Sequence, residues 1–262
     1  MDSEVDIVDT KLVRPPLVAD LLVRERLFED LESGKRLPAV LVSAPAGFGK
    51  STLISSWLER IEWRSAWLSL DPGDEELHRF VAYLVSAVRK AVPGACARTL
   101  ELLGAPRLPP LPAVVGALAN DLNTLEEPLI LVLDDYHHVS SGSQANELFF
   151  GLLAHPPIPL HLVIATRRDP AGPLAVMRAR GQLLELRTRD LLFTRAETHD
   201  FFAGVLEVSL QEDAIEKLQA QLEGWPAGLR LAALAMRHAD DPNALANAWR
   251  EGNLDTRAFL LQ

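Results

Sequence analysis

The sequence predicts an α/β fold, a parallel sheet with helices on both faces, followed by a small helical subdomain. Three observations predict it. Residues 39–60 run from an apolar strand through a glycine-bearing turn into a helix. Residues 129–133 are wholly apolar and precede two aspartates, as expected of a parallel strand buried on both faces. After residue 190 the composition is helical, which divides the chain into predicted domains 1–190 and 191–262.

Composition limits the possible classes of protein. The 262 residues are 48% hydrophobic, which is enough for a proper core in one large or two small domains. A net charge of −10 argues against non-specific binding to nucleic acid or an anionic membrane. Cys96 is the only cysteine, the N-terminus is acidic, and no apolar run approaches the roughly 18 residues that span a bilayer. We therefore expect a cytoplasmic protein without disulfides, a cysteine-based zinc site or a membrane segment.

The other elements follow from periodicity and turn residues. A Pro-rich segment from Lys11 leads into a helix with Leu27, Phe28 and Leu31 on one face. Residues 93–112 read as a loop or an irregular helical connection. Thr194 with Glu197, and Ser209 with Glu212, have the spacing of a capping box. Further strands are predicted at 64–70, 160–166 and 183–186, and further helices at 77–88, 113–125 and 143–154.

The turn after the first strand has the pattern G-x-x-x-x-G-K-[ST], with Ala44 at the first glycine position. Gly47 and Gly49 lack a Cβ and so let backbone N–H groups curl round a β-phosphate. The helix that begins near Lys50 adds its positive end to this anion site. The predicted nucleotide contacts in this loop are Ala46, Gly47, Phe48, Gly49, Lys50, Ser51 and Thr52.

Three side chains at the end of this loop have predicted roles. Lys50 reaches the β- and γ-phosphates, the Ser51 hydroxyl binds Mg²⁺, and Thr52 lies beside the α-phosphate. The alternative is a plain glycine turn with a solvated lysine. The strand, loop and helix occur in the order that the motif requires, which favours the phosphate-binding interpretation.

The apolar strand at 129–133 ends in Asp134 and Asp135, at the edge of an open α/β sheet where ligands bind. Downstream of a phosphate loop this pattern indicates a Walker B strand. Asp134 would then hold Mg²⁺ through water, and Asp135 would orient or deprotonate the attacking water. The alternative is a strand that merely ends in aspartates at a turn. His137 and His138 lack further metal ligands at suitable spacing, so we place them in a loop at the rim of the site.

The next strand ends before Arg167 and Arg168. A cation at the end of a strand beside the phosphate-loop strand is suited to read a γ-phosphate. Arg167 is our choice for this role, Arg168 is the alternative, and two exposed loop arginines are the simpler interpretation.

In this order the motifs resemble the signal-transducing ATPases with numerous domains, and among them the large ATP-binding LuxR-type regulators related to the maltose regulon activator (MalT-like). The resemblance extends from Lys11 to about Met236. Its most specific pieces are Pro45-Ala46-Gly47-Phe48-Gly49-Lys50, Trp67-Leu68-Ser69-Leu70-Asp71, Leu133-Asp134-Asp135-Tyr136-His137 and Gly224-Trp225-Pro226-Ala227-Gly228-Leu229.

The resemblance implies a sheet of strand order 5-1-4-3-2. It places Pro226 near the adenine, gives Arg24 of an N-terminal arm a part in fixing the nucleotide, and makes Arg167 the sensor that distinguishes ATP from ADP. Val23 stands where the wider class has Gly or Pro before this arginine. Such proteins are switches in which ADP holds a closed monomer, whereas ATP and an inducer favour a self-associating form.

The resemblance also implies that the chain is an N-terminal fragment, since the effector-binding and DNA-binding domains of these regulators would follow Gln262. DNA would then be contacted only through that further C-terminal domain. The leading hypothesis is an ATP/ADP switch with slow, Mg²⁺-dependent hydrolysis. A stand-alone P-loop ATPase or small-molecule kinase, and a module that holds ADP without turnover, are the alternatives.

Overall fold

The computed structural model describes residues 6–172, 174–205, 210–237 and 239–249. Its centre is a five-stranded sheet in which every paired strand is parallel, in the order β2-β3-β4-β1-β5. Read from the other edge, this is the predicted order 5-1-4-3-2, which is confirmed. The strands are β1 (Ala39–Ser43), β2 (Arg64–Ser69), β3 (Leu129–Asp134), β4 (Leu160–Thr166) and β5 (Leu183–Arg187).

Helices flank the sheet and continue beyond it. Two short 3₁₀ helices lie at Asp9–Leu12 and Tyr136–His138. The α-helices around the sheet are α1 (Glu25–Gly34), α2 (Lys50–Leu58), α3 (Leu77–Ala91), α4 (Ala97–Leu103), α5 (Leu111–Asn123), α6 (Gln144–Ala154), α7 (Leu174–Ala179) and α8 (Thr188–Leu191). The helical subdomain comprises α9 (Arg195–Val205), α10 (Glu212–Leu222), α11 (Pro226–Met236) and α12 (Pro242–Asn247). Within the described ranges no helix combines the length and apolar character needed to cross a bilayer.

The strand β3 shows why the sheet is covered on both faces. Successive side chains of a strand point to opposite faces. Accordingly Leu129, Leu131 and Leu133 join a core cluster with α3, α5 and α6, while Ile130 and Val132 join a second cluster with α1 and α2. All six residues of β3 are buried. An uninterrupted apolar run is therefore what this position in the sheet requires.

A third apolar cluster holds the helical subdomain together. It is centred on α9 to α12, and Leu22 packs against it from the arm, which we define as residues 13–24. The arm joins the first 3₁₀ helix to α1. Its first part is tied to the α/β domain, because Ser55 Oγ of α2 donates to the carbonyl of Pro15 at 2.8 Å. The arm thus contacts both parts of the protein.

The structure adds detail where the sequence left choices open. The predicted loop or irregular connection at 93–112 contains a regular helix, α4, which follows Cys96 in a left-handed conformation. The helix predicted at 113–125 begins two residues earlier, at Leu111, because Pro112 is tolerated in a first helical turn. The Thr194–Glu197 capping box is confirmed by reciprocal hydrogen bonds of 2.8 and 3.1 Å. Ser209, of the second predicted box, lies outside the described residues.

Candidate functional site

The loop between β1 and α2 has the backbone of an anion cradle. Gly47 and Gly49 have φ values of 79° and 74°, in the left-handed region that glycine adopts without a steric cost. Gly49 is the N-cap of α2, which begins at Lys50. The free N–H groups of this first helical turn, together with the helix dipole, favour an anion at the loop.

Lys50 is buried beside two carboxylates. Its side chain donates from Nζ to the carbonyl of Pro45 at 3.0 Å, and the residue is 7% exposed. Burial lowers the pKa of Lys50, and the charges of Asp135 and Asp134 oppose that shift. An ammonium group in such a place gains from any further anionic partner, because its own hydration is lost.

Ser51 and Asp134 meet beneath the loop. Ser51 Oγ donates to Asp134 Oδ1 at 2.9 Å, and the backbone N–H of Asp135 donates to the same oxygen at 3.0 Å. Burial and the neighbouring charge of Asp135 raise the pKa of Asp134 to about 6. A buried carboxylate next to a hydroxyl presents the hard oxygen ligands that Mg²⁺ prefers. The residues therefore fit the predicted metal position.

Asp135 has an unusual backbone conformation for a residue with a side chain. Its φ is 54°, and its Oδ1 lies 3.6 Å from Nδ1 of His137. Burial and the adjacent His138 lower the pKa of His137 to about 4, so this imidazole is neutral at physiological pH. The rings of the two histidines lie 4.2 Å apart. Strain of this kind is found at functional sites and is consistent with a constrained position for the Asp135 side chain.

A cavity of about 440 Å³ connects the loop to the arm and the helical subdomain. Asp135 and Arg167 also line it. The positive charge of Arg167 also lowers the pKa of Lys50, so the two side chains are close enough to repel each other. Arg168 instead donates to the carbonyl of His137 at 3.0 Å and lines a second cavity of about 340 Å³ with that residue. Of the two candidate sensors, the first thus lies in the nucleotide-sized cavity.

Almost all the predicted site residues meet in this cavity. Those lining it are Arg24, Ala46, Gly47, Phe48, Gly49, Lys50, Ser51, Thr52, Asp135, Arg167 and Pro226. Asp134 lies behind them, in contact with Ser51.

The helical subdomain touches the phosphate loop directly. The backbone N–H of Ala227, in the first turn of α11, donates to the carbonyl of Gly47 at 3.1 Å. A Cβ on Gly47 would lie 2.9 Å from Ala227 Cβ and 3.0 Å from Trp225 Nε1. The Gly224-Trp225-Pro226 motif therefore places α11 against the loop as well as starting the helix, and Gly47 is needed for close approach as much as for its φ.

Comparison with known proteins agrees with this geometry. Residues 21–164 match the AAA ATPase domain family. The chain belongs to that family. It is 34% identical to the HTH-type transcriptional regulator MalT of Yersinia pestis (strain Pestoides F) over 240 residues. The aligned region covers 92% of this chain and 26% of the regulator. The MalT of Klebsiella pneumoniae is 34% identical over 231 residues, or 88% of this chain and 25% of that protein.

The MalT-like resemblance inferred from the motifs is thus confirmed, and this AAA ATPase domain spans about a quarter of the length of those regulators. Two solved structures are also similar to it. The Aeropyrum pernix ORC1 protein in complex with DNA has a TM-score of 0.48 and 17% identity, covering 86% of this chain and 63% of that one. The Thermotoga maritima RuvB Holliday junction branch migration motor has a TM-score of 0.45 and 22% identity, covering 86% and 65%.

Arg24 of the AAA ATPase domain makes contacts within the protein that the sequence did not indicate. Its guanidinium donates to the carbonyls of Leu191 and Leu192 at 2.8 and 2.7 Å and to Glu197 at 3.1 Å. Arg26 donates to Leu192 and Glu197 as well, at 2.8 and 3.0 Å. Both arginines therefore hold the junction between the sheet and the helical subdomain, and Arg24 also borders the cavity.

Sequence reasoning identified Glu197 only as part of a capping box. It had no signal for the second role of this carboxylate, because the partners Arg24 and Arg26 lie more than 170 residues away in the chain. The pairing of Asp20 in the arm with Arg230 in α11, 210 residues apart, was missed for the same reason.

Proposed function

We propose that this chain is the cytoplasmic ATP- and ADP-binding switch module of a signal-responsive transcriptional activator, with slow Mg²⁺-dependent ATP hydrolysis. The hydrogen bond from Ala227 to Gly47 carries the proposal, because it joins the helical subdomain to the loop that would hold the phosphates. A change at the phosphates would therefore be transmitted to the helical subdomain through this hydrogen bond. The similarity to MalT regulators supports the transcriptional setting.

In this proposal the loop binds a nucleotide through its backbone and three side chains. Lys50 neutralises the β- and γ-phosphates, and Thr52 contacts the α-phosphate. Ser51 and Asp134 would hold Mg²⁺, the latter through water, and the ion would supply charge neutralisation at the phosphates. Pro226, which lines the cavity, packs against the adenine.

The chemical step is assigned to Asp135 and Arg167. Asp135 orients a water molecule toward the γ-phosphorus and accepts its proton as the P–O bond to ADP breaks. Arg167 contacts the γ-phosphate and so distinguishes ATP from ADP. In the ADP state the helical subdomain stays against the loop, whereas ATP favours a form that self-associates. DNA contact belongs, in this proposal, to a domain outside this chain.

Separating binding from hydrolysis tests the proposal. Asp135→Asn should bind ATP within about twofold of the parental chain while hydrolysis falls on the order of a hundredfold, since a general base contributes roughly that much. Binding would be followed by calorimetry and hydrolysis by phosphate release. The matched control is Asp121→Asn, because Asp121 accepts hydrogen bonds from Thr99 of α4 and is not among the residues that line the cavity.

Unchanged hydrolysis in Asp135→Asn would refute its assigned role. Absence of hydrolysis in the parental chain, with tight ADP binding, would favour a module that does not turn over. Transfer of the phosphate to a metabolite rather than to water would favour the kinase alternative.

A further inference from the structure

The arm and the helical subdomain both line the cavity. Val18, Leu21 and Leu22 line the cavity from the arm, and Pro226 and Arg230 line it from α11. A nucleotide in this cavity would be enclosed between the phosphate loop and these two segments. Its escape then depends on what holds the segments to each other.

An ion pair joins the two segments. Nη2 of Arg230 lies 3.0 Å from both carboxylate oxygens of Asp20, and both residues line the cavity. The side chains of Arg230 and Asp20 are 36% and 26% exposed. The hydrogen bond from Arg230 holds the pKa of Asp20 below its usual range, so the carboxylate stays charged at physiological pH.

Apolar packing also holds the part of the arm next to Asp20 against the helical subdomain. Leu22 packs against the cluster that contains Phe193, Phe202 and Leu229. The earlier part of the arm is held instead by the α/β domain, through the 2.8 Å hydrogen bond from Ser55 to the carbonyl of Pro15. The residues between these anchors therefore connect the α/β domain to the helical subdomain, and Asp20 lies two residues before the Leu22 anchor.

We propose that the Asp20–Arg230 ion pair is a latch that holds the arm to α11 and limits the rate at which nucleotide leaves the cavity. The inference rests on the proposed nucleotide binding and adds the element that controls exchange. Opening the cavity separates the arm from α11, which breaks this pair. The Arg24 and Arg26 contacts lie at the junction of the two domains, where a rotation moves atoms least, so they need not break.

Charge-reversal variants distinguish a latch from a simple electrostatic effect of the added charge on the anionic ligand. Asp20→Arg adds positive charge beside an anionic ligand, and Arg230→Asp adds negative charge. If only the field acted, the first change would slow the release of ADP and the second would speed it. A latch predicts that both single changes speed release, about three- to fivefold, because a partly exposed pair of this kind is worth up to about fivefold in an equilibrium constant. The exchanged pair, Asp20→Arg with Arg230→Asp, should return within about twofold of the parental rate.

The experiment measures release of a fluorescent ADP analogue from the chain into excess ADP by stopped flow. The matched control is Glu127→Arg, which breaks an exposed ion pair with Arg64 outside the cavity and should leave the release rate unchanged. Opposite effects of the two single changes, or failure of the exchange to restore the rate, would overturn the latch. The milder pair Asp20→Asn and Arg230→Gln replaces any reversal that does not fold.

A second readout does not need a nucleotide. Amide hydrogen exchange of the ligand-free chain should become faster in the arm around Leu22 and in the first turns of α11 in Asp20→Asn, and not in Glu127→Gln. Failure of the parental chain to bind ADP would count against the proposed function alone. Unchanged exchange in Asp20→Asn would count against the latch alone.

Discussion

On one side of the cavity, the phosphate loop follows β1, whose five residues are all buried. On the other side, the arm meets α11 through Asp20 and Arg230, whose side chains are 26% and 36% exposed. Removing a fully buried group costs several times more than removing a partly exposed ion pair. From this difference in exposure we expect a firmly anchored phosphate loop and a more easily separated contact between the arm and α11, as the proposed switch would require.

A third region, the junction at Glu197, lies between these extremes. Arg24 is 7% exposed, and its guanidinium is held by a carboxylate and two carbonyls. Such a contact is too costly to break in each cycle and therefore suits a hinge. The comparison predicts a graded series of mutational effects, from the loop through the junction to the surface.

The largest effect is expected at Lys50. Lys50→Ala should remove the proposed charge-assisted contact to the phosphates, at a cost of about 3 kcal/mol, which is roughly a hundredfold in Kd. Calorimetry with ATP and Mg²⁺ would measure it. Lys90→Ala, at the exposed end of α3, is the control and should bind like the parental chain. If Lys50→Ala bound ATP as tightly as the parental chain, the loop would not be the phosphate-binding side of the cavity.

Two glycines in the loop sharpen the comparison, because their φ values are alike and only one of them touches the helical subdomain. Gly47→Ala should cost about 3 kcal/mol of unfolding free energy, from a left-handed backbone and from overpacking against Trp225 and Ala227. Gly49→Ala has no atom within 4 Å of the added Cβ and should cost about 1 kcal/mol. Urea unfolding would measure both. Equal costs would mean that α11 does not press on the loop.

Glu197→Gln should destabilise the chain by about 2 kcal/mol, because Arg24 keeps its buried position without a charged partner. Burial alone would raise the pKa of Glu197, but hydrogen bonds from Arg24 and Arg26 outweigh it and hold the pKa below its usual value. Their contribution is therefore complete above the unfolded pKa of about 4.3 and is lost as the pH falls through the folded value.

The stability gap between the parental chain and Glu197→Gln should accordingly narrow as the pH falls below about 4.3 and through the lower folded pKa of Glu197. Thermal unfolding across this range would measure it. A gap independent of pH would show that the ionised carboxylate is not what holds the junction.

The smallest effect is expected at the exposed Arg64–Glu127 pair, whose side chains are 52% and 66% exposed. Glu127→Ala should change the unfolding free energy by less than about 0.5 kcal/mol. A larger loss in thermal unfolding would contradict the grading by exposure.

Local patterns predicted much of the fold. The apolar run of β3 and the glycine loop before Lys50 each determine their structure through neighbours in sequence, and both were found where predicted. The strand order came from a family resemblance, because spacing alone does not say which parallel strands pair. The sequence did not predict α4 as a regular helix, because it lies in a Pro- and Gly-rich segment where helix and turn signals compete.

The site divides in the same way. The phosphate loop and the aspartates at the end of β3 were predictable because each belongs to one continuous motif. The contacts of Arg24 with Glu197, and of Asp20 with Arg230, were not, since they depend on how the helical subdomain sits against the arm. Long-range ion pairs leave no periodic trace in a single sequence.

The central claim is that this cavity holds an adenine nucleotide. The most direct test is to denature the freshly purified chain and to identify the released nucleotide by ion-exchange chromatography, followed by titration of the emptied chain with ATP and ADP in the presence of Mg²⁺. The account predicts about one adenine nucleotide per chain, either carried through purification or bound in the titration. A chain that releases no nucleotide and binds neither ATP nor ADP would contradict it.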